Sequence, residues 1–415
     1  MGNEPVPRQN TIRPRDSQPA LTAAERRSVG SLAAIYASRM LGMFLMLPVL
    51  SLHAETLADY SPQLLGLAMG AYGLTQALLQ IPFGRWSDRH GRKPMITLGL
   101  ALYALGSLVG MLAHSVTLIA VARAIQGAGA VSASVTALLA DLTRDEVRTR
   151  SMALIGISIG LSFVISLIAA PVLDAAIGVP GIFGTMLAMA LLGIVLLHWA
   201  VPAEPQRSGG VEGREFSGLL DILTRPALMP LYFGMFAMQF GITATFISVP
   251  QVLEHDLGMP GGTHWQVYLG VFLASIVLTV PLVLRSERGR GRRAAAIYLG
   301  SIVVMGGVQA ALGFDHQERL LVLAALTLYF AVFNYLEAAL PAMLTLAAPA
   351  ADRGAALGIF ATAQFLGAFF GGVIGGLLLG RFGLSGVFWG CAAVAAAWAL
   401  VALRTGGHPG PPVSA

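Results

Sequence analysis

The chain has 415 residues, of which 56% are apolar and 11% are charged, and it carries a net charge of +5. Soluble proteins carry about 25% charged residues, so the polar side chains here are too few to cover a water-exposed surface. This composition excludes a soluble enzyme, a disordered chain and a nucleic-acid-binding domain. The single cysteine, Cys391, lies in an apolar run and cannot form an intrachain disulfide.

Long apolar runs dominate the sequence from residue 30 to residue 403. A helix needs about 20 apolar residues to cross about 30 Å of hydrocarbon, and twelve runs meet that requirement. They predict an all-α membrane protein with twelve transmembrane helices. The predicted spans 1 to 12 lie near residues 30–52, 64–84, 95–113, 117–140, 151–173, 181–201, 227–250, 267–284, 294–313, 320–345, 355–379 and 385–403.

Basic residues are concentrated in alternate connections between these spans. One set of connections, together with the two ends of the chain, carries 22 of the 26 Lys and Arg residues, whereas the opposite set carries only Arg319 and Arg381. Because positively charged loops stay in the cytoplasm, we expect both termini to be cytoplasmic. The last two arginines, Arg39 and Arg123, fall inside spans.

The longest polar interruption, residues 202–226, divides the spans six and six. Transporters built from two six-helix halves bind substrate between the halves near the middle of the membrane. The predicted organisation is therefore a cytoplasmic tail, a first half, a cytoplasmic linker, a second half and a short cytoplasmic tail, at 1–29, 30–201, 202–226, 227–403 and 404–415. The first tail, rich in Pro, Arg, Gln and Asn, is expected to be largely disordered.

The most specific string follows span 2 and reads Gly84-Arg-Trp-Ser-Asp88-Arg89-His-Gly91-Arg92-Lys93. It matches the pattern G-x-x-x-D-R-x-G-R-K, and on it the chain resembles the major facilitator superfamily. The resemblance implies the two-half, twelve-helix fold of that family. It also implies that Asp88 caps the start of helix 11 and that Arg92 pairs with Asp141 at the end of span 4. This gate motif, with Gly84, Arg89, Gly91 and Lys93, is expected to hold the cytoplasmic gate rather than to contact substrate.

Glycines recur at helical spacing in the two spans that this resemblance brings together. Gly66, Gly70 and Gly73 precede Gly84 in span 2, and a similar series runs from Gly367 to Gly376 in span 11. Since glycine allows two membrane helices to approach closely, we predict a tight contact between these spans.

Further strings resemble the drug:proton antiporter branch of that superfamily. In span 4, Arg123-Ala-Ile-Gln126-Gly-Ala-Gly129 is similar to its second signature, and strings in spans 1 and 10 resemble one bacterial inner-membrane member. That member carries a cytosolic domain after helix 12, for which no counterpart is expected here. The span 5 signature should end in Gly-Pro, whereas this chain has Ala170-Pro171.

Three charged side chains lie inside predicted spans, where an ionised group costs at least about 2.5–3.5 kcal/mol. Glu337 in span 10, with Asn334 one turn before it, is either a proton or cation site or a structural, hydrogen-bonded acid. Arg123, with Gln126 beside it, serves either proton coupling or helix packing. Arg39 in span 1 either pairs with Glu337 across a cavity or is a structural cation. Uncharged polar groups within spans are candidate cavity lining, namely Gln76, Gln80, Gln239 and Gln364.

The combined prediction is a secondary active transporter rather than an enzyme. By resemblance it exports drug-like, amphipathic small molecules in exchange for protons, by alternating access, as a monomer in the bilayer of a bacterial inner membrane. No cofactor or nucleic acid is expected; the histidines form no metal-binding set, and His255 and His264 are interpreted as solvated loop residues. A proton-coupled importer or facilitator of a small metabolite, and a non-transporting membrane receptor, are the alternatives.

Overall fold

The computed structural model describes residues 21–202, 216–288, 292–349 and 352–404. Within these ranges the chain is helical apart from short connections, as an all-α fold requires. Residues 1–20 of the predicted tail at 1–29, most of the linker (203–215) and the last residues (405–415) lie outside the described residues.

Seven α-helices form the first half of the described chain. They are α1 (Ala23–Leu45), α2 (Leu50–Glu55), α3 (Pro62–His90), α4 (Arg92–Met111), α5 (Val116–Ala128), α6 (Ser132–Asp141) and α7 (Asp145–Ala200).

A short helix from the linker and five longer ones follow. They are α8 (Phe216–Leu223), α9 (Met229–Gln251), α10 (His264–Arg288), α11 (Arg292–Phe314), α12 (Arg319–Ala347) and α13 (Arg353–Arg404). One π-helical turn (Val252–Asp256) and one 3-10 turn (Gly261–Thr263) connect α9 to α10.

Ten helical segments of the described chain are long and apolar enough to cross a membrane, and two of them are double-length. Helix α7 has 56 residues and α13 has 52, about twice what one crossing needs. Each is interrupted by a glycine with positive φ, Gly178 at 68° and Gly383 at 67°. Residues other than glycine rarely adopt this backbone conformation. Each double helix therefore makes two crossings, and the twelve predicted spans are confirmed.

Two predicted spans differ in detail from the observed helices. Span 1 begins at Ala23 instead of near residue 30, because Thr22 and Glu25 form a reciprocal capping box that satisfies the first free N–H groups. Glu25 is held further by Arg144, whose Nε lies 2.8 Å from its carboxylate. Span 4 is two helices, α5 and α6, which are separated at Gly129–Val131. The predicted linker contains a helix, α8.

Glycines bring α3 and the first span of α13 into backbone contact, and this contact joins the two halves. A Cβ added to Gly372 would lie 2.6 Å from the carbonyl oxygen of Gly66, and one added to Gly70 would lie 2.6 Å from that of Phe369. The predicted tight contact between spans 2 and 11 is therefore present. The glycine series of span 11 divides between two neighbours, because Gly367 and Gly371 pack against the backbone of α9 instead.

The two ends of the helix bundle are named here by their loops. The motif end carries Gly84–Lys93 between α3 and α4, and the opposite end carries the connections around residues 56–61 and 252–263. At the opposite end Asp59 caps α5, because its carboxylate accepts the backbone N–H groups of Val116 (2.7 Å) and Thr117 (3.0 Å). These bonds favour the ionised form and lower the pKa of Asp59.

We expect Gly372→Ala to destabilise the protein, because its new methyl group would meet backbone that cannot move aside. Overpacking of this kind costs about 1–3 kcal/mol. The matched control is Gly300→Ala in α11, where a Cβ would meet no atom within 4 Å and helix propensity favours alanine. Thermal unfolding of the purified variants should show a lower midpoint for the first and an unchanged or higher one for the second. Equal midpoints would contradict the close contact.

We expect Asp59→Ala to lower the unfolding midpoint at pH 7, and the deficit to shrink in acid. A carboxylate with a lowered folded-state pKa stabilises the fold above its unfolded pKa, and this contribution is lost as the pH falls through the folded value. Unfolding scans at pH 7 and at decreasing pH measure the effect. Glu318→Ala, an exposed acid at the same end whose side chain caps no backbone N–H group, is the control. A deficit that did not change with pH would contradict a charge-dependent cap.

Candidate transport cavity between the two halves

A cavity of about 590 Å³ lies between the two halves and is lined by both. Its volume is within the range of about 300–1,000 Å³ typical of small-molecule sites. Most of the lining is apolar and includes Met40 and Met43 of α1. Its polar side chains include Arg123 of the first half and four of the second half, namely Gln239, Asn334, Glu337 and Gln364.

Aromatic rings that cross between the halves close the cavity toward the opposite end. Phe163 of α7 stacks on Phe333 of α12 with the ring centroids 6.0 Å apart, and it also contacts Phe330 at 6.2 Å. Phe333 and Phe330 precede Glu337 by one and two helical turns, so these rings lie between the acid and the opposite end.

Polar contacts join the halves beyond this aromatic layer. His255 Nε2 of the second half lies 2.9 Å from Glu55 Oε2 of the first half, and short helix α2 packs on α9. His264 is 1% exposed and lies 2.8 Å from the carbonyl oxygen of Met259. The prediction that both histidines are solvated loop residues holds for His255, which is exposed although it bridges the halves, and is wrong for His264, which is buried at the start of α10.

The cavity extends toward the motif end, where its lining includes Pro341, one turn beyond Glu337 in α12. Gly156 and Gly160 of α7 line the cavity, and a Cβ added to either would meet no atom within 4 Å. The same is true of Gly354 and Gly358 in the first turns of α13. The cavity therefore reaches toward the motif end while the opposite end is closed.

The gate motif forms a compact polar cluster at the motif end. Arg92 lies 2.7 Å from Asp88 and 3.4 Å from Asp141, so the predicted Arg92–Asp141 pair is present. Arg92 also donates to Ser87 Oγ at 3.2 Å, and Lys93 donates to the carbonyl oxygen of Val201 at 2.6 Å.

The remaining motif residues occupy different settings. Gly91 joins α3 to α4 with a φ of 95°, which explains a glycine there, and Arg89 is exposed. The prediction that Gly84 allows a close approach is wrong, since a Cβ there would lie 3.7 Å from Ala133. The contact of Asp88 with the start of helix 11 stays a prediction.

Arg39 is bound within the first half and does not pair with Glu337. Its guanidinium donates to Gln76 Oε1 and, at 3.2 Å, to Ser132 Oγ. Gln76 in turn donates to Gln80 at 2.8 Å. Gln76 and Gln80, which the sequence suggested as cavity lining, therefore serve to hold Arg39 in place.

Arg123 lines the cavity and rests on an aromatic ring. Its Cζ lies 4.9 Å from the ring centroid of Tyr72, and Arg39 approaches the same ring at 5.8 Å. Arg123 donates to Gln126 Oε1 at 3.1 Å, and Gln126 is oriented by its own bond to Ser107 at 2.8 Å. Gln126 is thus a positioning residue behind the cavity rather than part of its lining.

Glu337 faces the cavity with one weak polar contact. Gln239 Nε2 of α9 lies 3.4 Å from its Oε2. Asn334 does not bond to it and donates instead to Ser275 of α10 at 3.3 Å. Among the described residues, no cation forms an ion pair with Glu337, and no acid forms one with Arg39 or Arg123.

Sequence reasoning missed two aromatic residues of this site. Tyr72 precedes Gln76 by one turn in α3 and is the ring that both buried arginines share; its position beside a polar residue within a span was an available signal. Phe163 carried no such signal, because its role depends on partners in the other half of the chain.

The fold and the cavity define a two-half membrane transporter. The family model described as "Major Facilitator Superfamily" matches residues 32–305 of this chain and again residues 231–415. The chain therefore belongs to that family. It is 38% identical to the inner membrane transport protein YajR of Escherichia coli over 92% of this chain and 84% of that protein. It is 27% identical to multidrug resistance protein 2 of Bacillus subtilis, over 81% of this chain and 85% of that one.

Solved structures share the fold at low sequence identity. A D-xylose–proton symporter superposes with a TM-score of 0.71 at 18% identity, covering 90% of this chain and 96% of that one. A bacterial homologue of the human lysosomal transporter Spinster gives 0.69 at 14% identity, covering 93% and 96%. The predicted twelve-helix facilitator fold is confirmed, and the relatives are named as transporters rather than enzymes.

We expect Glu55→Gln to weaken the closure at the opposite end. The pair is partly exposed, and measured pairs of this kind contribute about 0.2–1 kcal/mol, so the fraction open at that end should rise by about 1.4- to 5-fold. The opening is measured as the rate at which a thiol reagent labels a cysteine introduced by Ser51→Cys in α2, where the native side chain is fully buried. The protein is studied in lipid nanodiscs, and its native cysteine is removed by Cys391→Ser. Glu318→Gln, an exposed acid at the same end, should leave the labelling rate unchanged. Equal rates in all three proteins would contradict a closing role.

Proposed function

We propose that this protein is a proton-coupled secondary transporter that exports amphipathic small molecules from a bacterial cell by alternating access. In this proposal it lies in the inner membrane with its motif end toward the cytoplasm, as the basic loops suggest. The cavity, closed at the opposite end, would then receive its substrate from the cytoplasm.

The observation that carries the proposal is Glu337. Its carboxylate lies in the cavity, and its only polar contact within the described chain is the amide of Gln239. Since no cation holds the charge there, a proton or a bound substrate group can neutralise it. A group of this kind changes its protonation as the cavity faces one side of the membrane and then the other.

The apolar remainder of the cavity supports an amphipathic substrate. Met40, Met43 and Phe333 line it, and methionine side chains adapt to ligands of different shape. The relative named for multidrug resistance is consistent with such a substrate. Exchange against protons requires that substrate and proton prefer different states of the transporter, since only differential affinity shifts a population.

A second candidate is a proton-coupled importer or a facilitator of a small metabolite. The departure at Ala170-Pro171 from the Gly-Pro that ends the antiporter signature favours it. An ionophore that dissipates the pH gradient identifies a facilitator, because it leaves facilitated diffusion intact and abolishes both kinds of proton-driven transport. The direction of proton movement when substrate is added then distinguishes import together with protons from exchange against them.

We expect Glu337→Gln to abolish proton exchange. Proteoliposomes with an imposed pH gradient and an enclosed pH-sensitive dye are exposed in turn to rhodamine 6G, Nile red and 1-anilinonaphthalene-8-sulfonate. Wild-type protein should dissipate the gradient when a transported compound is added, and Glu337→Gln should reduce the rate at least about tenfold because its amide cannot exchange a proton.

Glu318→Gln is the matched control, since it makes the same change in the exposed connection just before α12. It should retain the wild-type rate. Proton exchange that persisted unchanged in Glu337→Gln would overturn the role of this acid, and no compound-dependent exchange with any of the three probes would overturn the proposed export.

A further inference from the structure

The cavity carries opposite charges on its two walls, and neither charge is compensated within the described protein. Arg123 lies on the wall formed by the first half and Glu337 on the wall formed by the second. Each is bonded to a neutral amide, Gln126 and Gln239 respectively. The two side chains do not pair with each other, because Glu337 takes part in none of the ion pairs among the described residues.

The positive wall has unused hydrogen-bonding capacity. A guanidinium has five N–H donors, and Arg123, which is 3% exposed, uses its Nη1 for Gln126 while its Nε has no acceptor. Arg39 behind it is 2% exposed, and its Nε also lacks an acceptor. The shared ring of Tyr72 offers each guanidinium a cation–π contact, which contributes about 0.5–2 kcal/mol, less than the cost of a charge inside a membrane span.

Most of the remaining cavity lining is apolar. Met40, Met43 and Ile159 of the first half face Phe333 and Phe365 of the second across the cavity. A ligand that satisfies both walls therefore has an anionic group, an apolar body and a cationic group. An anion alone would leave Glu337 without a counter-charge, and a cation alone would leave Arg123 without one.

We infer that the substrate class is a zwitterionic amphiphile whose acidic group binds Arg123 and whose ammonium group binds Glu337 across an aromatic or aliphatic body. This inference rests on the proposed function and names the substrate of the same cavity. The ammonium group takes the place of the proton on Glu337, so binding releases that proton and the two cargoes exclude one another. Because the ligand contacts both halves, its affinity depends on how the halves are arranged.

A set of isosteric naphthalene probes tests the inference in wild-type protein. The zwitterion is 6-(aminomethyl)-2-naphthoate; the anion, cation and neutral probes replace one or both charged groups by methyl. A second zwitterion with a three-carbon amine arm covers a longer separation of charges. Equilibrium dialysis against protein in lipid nanodiscs, with empty nanodiscs as background, gives each affinity. One zwitterion should bind at least about tenfold more tightly than every singly charged or neutral probe.

Variants then assign each charge to its residue. Arg123→Gln should reduce the affinity for the zwitterion to that for the cation, and Glu337→Gln should reduce it to that for the anion. Arg123→Lys, which keeps the charge, should retain part of the preference. Arg381→Gln, which removes an exposed arginine beside Phe382 far along α13, should bind like wild type.

The inference is overturned if neither zwitterion binds more tightly than the cation in wild-type protein, or if Arg123→Gln and Arg381→Gln bind the zwitterion equally well. Its failure is separable from that of the proposed function. Proton-driven flux of a cationic or neutral probe without preference for a zwitterion would sink the inference alone, whereas tight zwitterion binding without proton-driven flux would sink the proposed export alone.

Discussion

The arrangement of the halves depends on a contact between two helix backbones with no side chain between them. Helix α3 and the first span of α13 meet at Gly66, Gly70 and Gly372 near the opposite end. A methyl group at these positions would separate the helices, and the aromatic layer of Phe163 and Phe333 would then lose its partner across the halves. Glycine at this contact thus permits the closure that leaves the cavity reaching toward the motif end.

Buried charge gives this shape its chemistry. The apolar spans make every ionised side chain costly, so a charge that persists there is expected to have a counter-charge or a neutral network. Arg39 has a network of amides and a hydroxyl group within one half. Arg123 and Glu337 are different, because they face the cavity and each has a single neutral amide as its hydrogen-bonding side-chain partner. The missing counter-charges must therefore come from a group that enters the space between the halves.

Sequence reasoning predicted most of the fold and only part of the site. Span number, the division into halves and the Arg92–Asp141 pair follow from local pattern and from a motif, and all of them hold in the structure. The start of α1 at Ala23 was missed because a capping box overrides the polarity of the tail. The partners of Arg39 could not be predicted, since Gln76 and Ser132 come from separate helices. The same limit applies to Tyr72, for which the only available signal was the polar residue Gln76 one turn later in the same span.

Helix α3 links events at the two ends of the bundle. It has 29 residues and is about 43 Å long, with the glycine contact near its start and Asp88 near its end. A helix packed along most of its length tilts as a unit with its half, so separation at one end brings the other end closer to α13. At that end Arg92 pairs with Asp88 of α3 and with Asp141 of α6. A tilt of α3 at the glycine contact therefore also displaces the Arg92–Asp88 pair, so the two ends of this helix do not move independently.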